Sequence, residues 1–532
     1  MKRLRGALLL DNNTTTQWMA DALTEAQKRN LDVVLILRCT NTYKSRQLGR
    51  HWLYYAINIW MMRGPEERNV DVADLGLSKV PVHEFIAESE GAWQRFPKNI
   101  RDVLLSVGCD VVIKIGMGLL RDPDSCGVRL GVLSYHHGDP AEFRGRPAGF
   151  YEILASRRTM GIIVQRLSNR LDGGVVHAFA RSRVIGHSYR KTLAAARRNS
   201  KHLLWQALDR ADKQKYISTA TTGKNHRLPG FWLSFKFLTY LAARMIRRIF
   251  YGMFIEKKWQ VTRVDLSANA VTPSSLPSSL PSNPSINIPR GYVFLADSFY
   301  LPDGNIVAEA MRQSDGKGEI VKIDSEGNCL RLSDEIGRHM SYPFSFKIEG
   351  ANYLLPEVAS WSRPFLQEIS PAGDFRRRYF LHGLEEERLI DPSWIRVGVV
   401  DYIFAGKPGS EADELYLWFS KNGIQGPYQA HPVSPIVVDA TRARMGGGFL
   451  THHGKCFRVG QDSSGSYGDG VTICEVTLLN EYEYEELPVR QLKVTGAQGP
   501  HTYVTRDSAA LFDWYKDQFS FMAGLRRLRA KL

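Results

Sequence analysis

One stretch of the chain concentrates side chains that can move protons: Ser134-Tyr135-His136-His137-Gly138-Asp139-Pro140-Ala141-Glu142-Phe143-Arg144-Gly145-Arg146-Pro147. An imidazole gives or takes a proton near neutral pH, a carboxylate orients it, and a guanidinium fixes an anion. A carboxylate of this kind stands in Leu171-Asp172-Gly173-Gly174, 36 residues after His136. Both stretches are turn-rich, and each follows an apolar run: Gly131-Val132-Leu133-Ser134 for the first, Gly161-Ile162-Ile163-Val164-Gln165 for the second. Active sites of open α/β sheets lie at the carboxyl ends of strands. His136 and Asp172 are therefore expected to share one crevice. The plainer alternative is a turn histidine and a helix-capping aspartate that never meet.

The flanking pattern supplies elements to position them. Residues 6–11, 32–38 and 109–116 are near-continuous apolar runs, while 16–29, 97–107 and 188–213 carry helical patterning. Such alternation indicates a parallel sheet covered on both faces, and this α/β domain is predicted over residues 1–225.

In this order the motifs resemble the folate-dependent formyltransferases, the group of methionyl-tRNA, glycinamide ribonucleotide and sugar N-formyltransferases. That family carries Asn-x-His, then Tyr/Trp-Arg-Gly, then a Gly-Val/Ile-Thr strand, then Leu-Asp-x-Gly. His136 stands eight residues before Arg144 and 36 before Asp172, as the family's residues do, and the likeness covers most of residues 1–210. The resemblance implies a Rossmann-like domain that passes a formyl group from 10-formyltetrahydrofolate to an amine. His136 would polarise the oxyanion and Asp172 would be its partner carboxylate. The folate would lie near Ile115, Gly116, Met117, Gly118, Leu119, Gln165 and Leu171, with Arg144 on the substrate side. The family Asn falls on Ser134 here, so the site is expected to be rebuilt with Ser134 and His137 as donors. No metal is implied.

Beyond residue 225 the character changes. Residues 231–256 interleave aromatic and aliphatic side chains with Lys236, Arg244, Arg247 and Arg248, the pattern of a basic amphipathic helix. Such a helix either lies in a membrane interface or joins domains with its basic face solvated. The Ser/Pro-rich stretch 266–289 reads as a linker, so 226–290 is predicted as helix plus linker. From Tyr292 onward short strands alternate with turns, the pattern of an all-β sandwich, barrel or propeller. The segments Leu295-Ala296-Asp297-Ser298-Phe299, His339-Met340-Ser341-Tyr342-Pro343-Phe344, Leu355-Pro356-Glu357, Ala443-Arg444-Met445-Gly446-Gly447-Gly448 and Arg458-Val459-Gly460-Gln461-Asp462 resemble the N-terminal domain of plant glucosamine inositolphosphorylceramide transferases. That module is similar to five-bladed propellers of some glycoside hydrolases. The resemblance implies a five-bladed, propeller-like carbohydrate domain over 291–495. Asp297, His339, Glu357, Arg444 and Asp462 are expected to contact substrate there, and paired carboxylates suit glycoside chemistry. A helical tail is predicted over 496–532.

Together these expectations describe an enzyme that formylates the amino group of an amino sugar, nucleotide-linked or destined for a surface polysaccharide. The rivals are a glycan-binding protein on a degenerate formyltransferase fold and a glycosidase-like propeller enzyme. The six cysteines form no CxxC pair and fit no zinc spacing, as expected of free thiols in a reducing compartment. The apolar run after Met1 is short and ends at Asp11, so it reads as a first strand of a cytoplasmic protein rather than a signal peptide. The net charge of +15 suits an acidic partner without choosing among nucleic acid, nucleotide-linked substrate and anionic membrane. No RNA-binding signature is present, and no nucleic-acid partner is expected.

Overall fold

The computed structural model describes residues 3–41, 48–61, 64–266, 276–332, 337–370 and 373–529. Part of the predicted Ser/Pro-rich linker, 267–275, lies outside the described residues. The chain divides into two compact units, residues 1–246 and 247–532.

The first unit is built on β1 (Leu4–Leu10), α1 (Gln17–Arg29), β2 (Leu31–Cys39), α2 (Leu48–Met61), β3 (Val82–Phe85), α3 (Asn99–Ser106), β4 (Val111–Lys114), β5 (Val132–His136), β6 (Thr159–Arg166), β7 (Val175–Arg183), α4 (Tyr189–Ser200), α5 (Leu203–Asp212) and α6 (Phe231–Phe254). The seven strands form one sheet in the order β7-β6-β5-β4-β1-β2-β3. The five strands β5, β4, β1, β2 and β3 are mutually parallel; β6 runs against them at the other edge, and β7, antiparallel to β6, returns to their direction. This is the expected Rossmann-like α/β arrangement, and its physical origin is burial on both faces. Ala7, Leu8 and Leu9 of β1 are all fully buried. Ile100 and Leu104 of α3 pack on Ala7, Leu9, Val112 and Val132, while α1, α4 and α5 form a second layer against β2 and β7. Each such leucine contributes roughly 2 kcal/mol of burial, so the central strands are held from both sides. The amphipathic helix predicted over 231–256 forms as α6, and its inner stripe of Ser234, Phe237 and Leu241 is buried.

Among its described residues the regular structure of the second unit is β-strand apart from the end of α6 and one short helix. Its strands begin earlier than predicted, at β8 (Ile255–Asp265). Among the described residues five separate sheets follow one another, antiparallel except for the short parallel edge strand Ser279–Leu280. Four open with β9 (Tyr292–Tyr300), β10 (Ser341–Ile348), β11 (Ile390–Val397) and β12 (Met445–His452). The fifth joins β13 (Tyr503–Arg506), β14 (Ala509–Phe519) and β8. The opening strands touch in sequence, β9 to β10, β10 to β11, β11 to β12, β12 to β13, and β13 back to β9. β8 pairs with β14 along eleven residues, so an early strand completes the last sheet.

This corrects the helical tail predicted from residue 496. Among the described residues of this tail, helix occurs only in α7 (Ala523–Arg529). The preceding segment is strand because Leu511, Phe512, Trp514 and Tyr515 are all buried between neighbours. Aromatic residues suit a pleated, half-buried surface, and pairing partners more than 200 residues away settle the choice. The Ser/Pro-rich stretch is likewise not all spacer: Leu276 and Leu280 are buried against Val459, Val471 and Trp514.

Candidate functional site

The first unit contains a crevice of about 880 Å³ at the carboxyl ends of its parallel strands. β4 ends at Lys114 and β5 at His136, and both side chains line it. Asp172 enters from the loop between β6 and β7, and His136 Nδ1 lies 3.4 Å from Asp172 Oδ1. Both side chains are about nine-tenths buried. Asp172 is fixed from behind, because the Gly145 N–H donates to its Oδ2 at 2.8 Å. Gly145 is required there: its φ is +82°, and a Cβ would run into the His226 carbonyl oxygen. Asp172 itself has φ +50°, unusual for a residue with a side chain, which turns its carboxylate into the crevice.

The remaining wall is cationic. Arg50, Arg146, Arg227 and Lys114 line the crevice together with His51 and His226. Lys114 donates to the Met117 carbonyl at 3.0 Å. Burial pushes its ammonium down to about 8, against the pull of Asp11. Asp11 in turn accepts from the Met117 N–H at 2.6 Å, holding the loop after β4. That loop sits so close to β1 that a Cβ on Gly116 would lie 2.5 Å from the Asp11 nitrogen.

Several expected site residues are brought together, and others are not. His136, Asp172, Met117, Gly118, Leu119 and Leu171 line the crevice. Ile115 and Gly116 instead donate their N–H groups to Leu9. Gln165 is buried, and its Oε1 accepts from Gly174, shaping the loop that carries Asp172. The Arg144 guanidinium is engaged by backbone, 2.6 Å from the Leu171 carbonyl, so it braces that loop. Ser134 is paired between Lys114 and Gln165, and its hydroxyl meets the Tyr135 carbonyl at 3.5 Å. His137 is the clearest correction. It packs with Tyr135 against Trp18, and its Nε2 lies 3.0 Å from Ser200 Oγ. Burial drives its imidazole down to about 3, so it stays neutral and serves packing. Alternation along the strand sends His136 and His137 to opposite sides. The sequence reading missed Arg50, His51, Asn225, His226 and Arg227. The residues 224–226 form a strand beside 143–145, and two short runs pairing histidine with arginine were the available signal.

In the second unit the opening strands share a device. Four of them, β9 to β12, are bulged, between Ala296 and Phe299, Ser341 and Phe344, Ile390 and Ser393, and Met445 and Phe449. The bulges place Asp297, Tyr342 and Asp391 at φ near +45° to +50°, with Gly447 and Gly448 at the fourth position. Three of the motifs singled out in sequence, around Asp297, Tyr342 and Gly447, thus repeat one structural position. Asp297, Glu309, Glu357 and Asp391 converge on one another electrostatically. Burial, then neighbouring carboxylates, hold Glu309 and Glu357 well above the usual range. Arg444 pairs with Asp391 at 2.5 Å, and Gln461 donates to it at 3.1 Å. His501 Nδ1 faces Asp297 at 2.9 Å and Asp513 at 3.4 Å. Burial alone would lower that imidazole, but the two carboxylates outweigh it and hold it at about 10. These three residues have metal-ligand spacing, with donor atoms within 4.8 Å. Asp513 is already engaged, however, accepting from the Asp297 and Thr502 N–H groups. Asp462 does not join the cluster as expected: it is bound by Lys493 at 2.9 Å and Gln491 at 2.8 Å. The His339 ring accepts from the Gly318 N–H at 2.9 Å and lies 3.9 Å from Glu309.

Residues 257–506 match the family model described as glucosamine inositolphosphorylceramide transferase 1, N-terminal. Curated relatives are the proteins named glucosamine inositolphosphorylceramide transferase 1 from Oryza sativa subsp. japonica, 27% identical over 238 residues, and from Arabidopsis thaliana, 23% identical over 243. Each match covers 43% of this chain, and 31% and 30% of those proteins, so the chain spans about a third of their length. Among solved structures, glycinamide ribonucleotide transformylase 1 from Symbiobacterium toebii is 15% identical with a TM-score of 0.29, covering 41% of this chain and 91% of its own. Phosphoribosylglycinamide formyltransferase from Anaplasma phagocytophilum is 16% identical with a TM-score of 0.29, covering 43% and 98%. At such TM-scores these likenesses carry no argument. The expectation of formyl transfer to an amino sugar, and its two rivals, are corrected by the curated relatives. Those are transferases named for glucosamine and inositolphosphorylceramide, not for formyl transfer, glycan binding or glycoside hydrolysis.

Proposed function

We propose that the chain is a transferase of glycoconjugate assembly whose crevice binds a phosphate-bearing sugar compound, such as a sugar nucleotide. His136 and Asp172 take the proton from the attacking nucleophile. The observation that carries this reading is the His136–Asp172 pair, 3.4 Å apart, facing a cavity whose other charged walls are Arg50, Lys114, Arg146 and Arg227. A cationic cavity attracts a phosphate. A hydroxyl or amine placed at the pair loses its proton as its oxygen or nitrogen bonds to the transferred group. The proton then passes through the pair to the leaving group or to water. Positioned acid–base catalysis of this kind contributes roughly 10²–10⁴-fold. The relatives' names supply the substrate class, a sugar and a phosphoryl-containing acceptor. For the second unit, the five sheets with contacting opening strands support a five-bladed propeller.

The test is thermal stabilisation of the full chain by sugar nucleotides, sugar 1-phosphates and inositol phosphate, with the same panel on Arg146→Ala. Stabilisation by a phosphorylated sugar, lost in the variant, is the expected result. Selective stabilisation by 10-formyltetrahydrofolate, with none by the phosphorylated compounds, would overturn the reading.

A further inference from the structure

Helix α2 is apolar on both sides. Tyr54 and Ile57 are buried in the unit. Its outward stripe is Trp52, Ala56, Ile59 and Trp60, at the i, i+4, i+7, i+8 spacing of one helical face. An outward stripe on a water-facing helix is ordinarily polar, yet Ile59 is 59% and Trp60 is 76% exposed. Helix α6 repeats the pattern. Opposite its buried stripe it exposes Trp232 at 79% and Ile246 at 68%, with Phe235 at the edge of the same face also exposed. The two helices are neighbours, since the Trp52 and Phe231 rings lie 5.7 Å apart. Scattered apolar residues need no explanation, but two adjacent helices with apolar outer faces do.

The charges on these helices select the occupant. Neither α2 nor α6 contains an aspartate or glutamate, whereas Arg50 of α2 and Lys236 of α6 are exposed cations. Large apolar side chains flanked by cations fit the boundary between headgroups and acyl chains of an anionic bilayer. Among the described residues no helix is long and apolar enough to cross a membrane, so the geometry is that of helices lying in the interface. α2 also reaches the crevice, for Arg50 and His51 line it just before the outward stripe begins. His51 Nδ1 lies 2.9 Å from the Pro229 carbonyl, where the chain turns into α6.

We infer that the α2–α6 face docks on an anionic lipid surface, and that the crevice receives a phosphate-bearing substrate carried on a lipid. The lipid carrier rests on the function proposed above; the docking face does not.

The experiment is co-sedimentation of the full chain with vesicles of phosphatidylserine and phosphatidylcholine, and with phosphatidylcholine alone. Binding to the anionic vesicles, weakened by salt, is expected. Trp60→Glu combined with Ile246→Glu should abolish it while leaving the melting temperature and soluble-ligand stabilisation unchanged, because both positions are exposed. Lys236→Ala should weaken binding about fivefold, the effect of about one basic residue near an anionic surface. No sedimentation with either vesicle would overturn the inference, as would binding unaffected by the glutamate pair. Self-association in light scattering that the glutamate pair breaks, without vesicle binding, would instead assign the face to a second copy of the chain. Arg146→Ala separates the two readings: it should lose the phosphorylated ligand and still bind vesicles. Vesicle binding without stabilisation of the wild type by any phosphorylated sugar would remove the lipid-carried substrate and leave the docking face.

Discussion

The two units arrange their cations in opposite ways. In the crevice of the first, Arg50, Lys114, Arg146 and Arg227 surround a cavity whose wall includes the Asp172 carboxylate. At the centre of the second, cations close directly on carboxylates. Arg458 is fully buried and grips Glu486 with two contacts of 2.8 Å, Arg444 holds Asp391, and His501 lies between Asp297 and Asp513. The same residue types give a ligand site in one place and a scaffold in the other. What differs is whether the protein itself supplies the counter-charge. A buried cation that already has its carboxylate gains little from an anionic ligand, whereas cations around a cavity gain much.

The contrast can be broken or sharpened by substitution. The largest effect is expected at Arg458→Met, which leaves Glu486 buried with Arg442 as its remaining guanidinium. It should destabilise the second unit by about 3 kcal/mol in denaturant titration, whereas Arg146→Ala should change stability little and ligand binding much. The wild-type pair also predicts acid sensitivity. Glu486 is held down at about 2, because Arg458 and Arg442 outweigh burial. Its contribution is present above the ordinary glutamate value and is lost as pH falls toward about 2. A stability flat over that window would contradict the closed-pair description.

Next come His136→Ala and Asp172→Asn, each expected to lower turnover by roughly 10²–10⁴-fold with an unchanged melting temperature. Near-normal rates in both would remove the crevice from the chemistry. His137→Gln should act on stability rather than turnover, since that ring packs on Trp18.

The smaller effects are pH dependences of opposite sign. His501 is raised to about 10, so its contribution is complete below the ordinary histidine value near 6.5 and is lost as pH rises through about 10. Lys114 is lowered to about 8, so the unfolded chain holds that proton longer and the first unit gains stability between about 8 and the ordinary lysine value. Denaturant midpoints across this range should fall for the second unit and rise for the first. His501→Gln and Lys114→Met should flatten the respective slopes. Affinity for a phosphorylated ligand should also decline above about pH 8 and lose that decline in Lys114→Met.

Much of the first unit was legible from residue order. Continuous apolar runs gave the parallel strands, and turn-rich ends after two of them marked the loops that carry His136 and Asp172. What failed there was the direction of side chains. His137 adjoins His136 but turns to the other side of the sheet, and Arg144 turns to the backbone of the 171–172 loop. The second unit was legible as strands and turns, yet its repeated bulges were not, because the shared position is filled by aspartate at 297 and 391, tyrosine at 342 and glycine at 447. Nor could local pattern show that Ala509–Phe519 pairs with Ile255–Asp265, a partnership across more than 200 residues.

Hydrophobic periodicity and turn chemistry act between near neighbours, so they decided which segments became buried strands, where loops fell and which titratable residues stood on them. Convergence of distant side chains depends on register, on bulges and on which face each strand turns inward. Those follow from packing of the whole unit. Tertiary structure alone therefore decided that Asp172 meets His136 beside a cationic wall, that Asp462 goes to Lys493, and that the outer faces of α2 and α6 stand apolar and uncovered within their units.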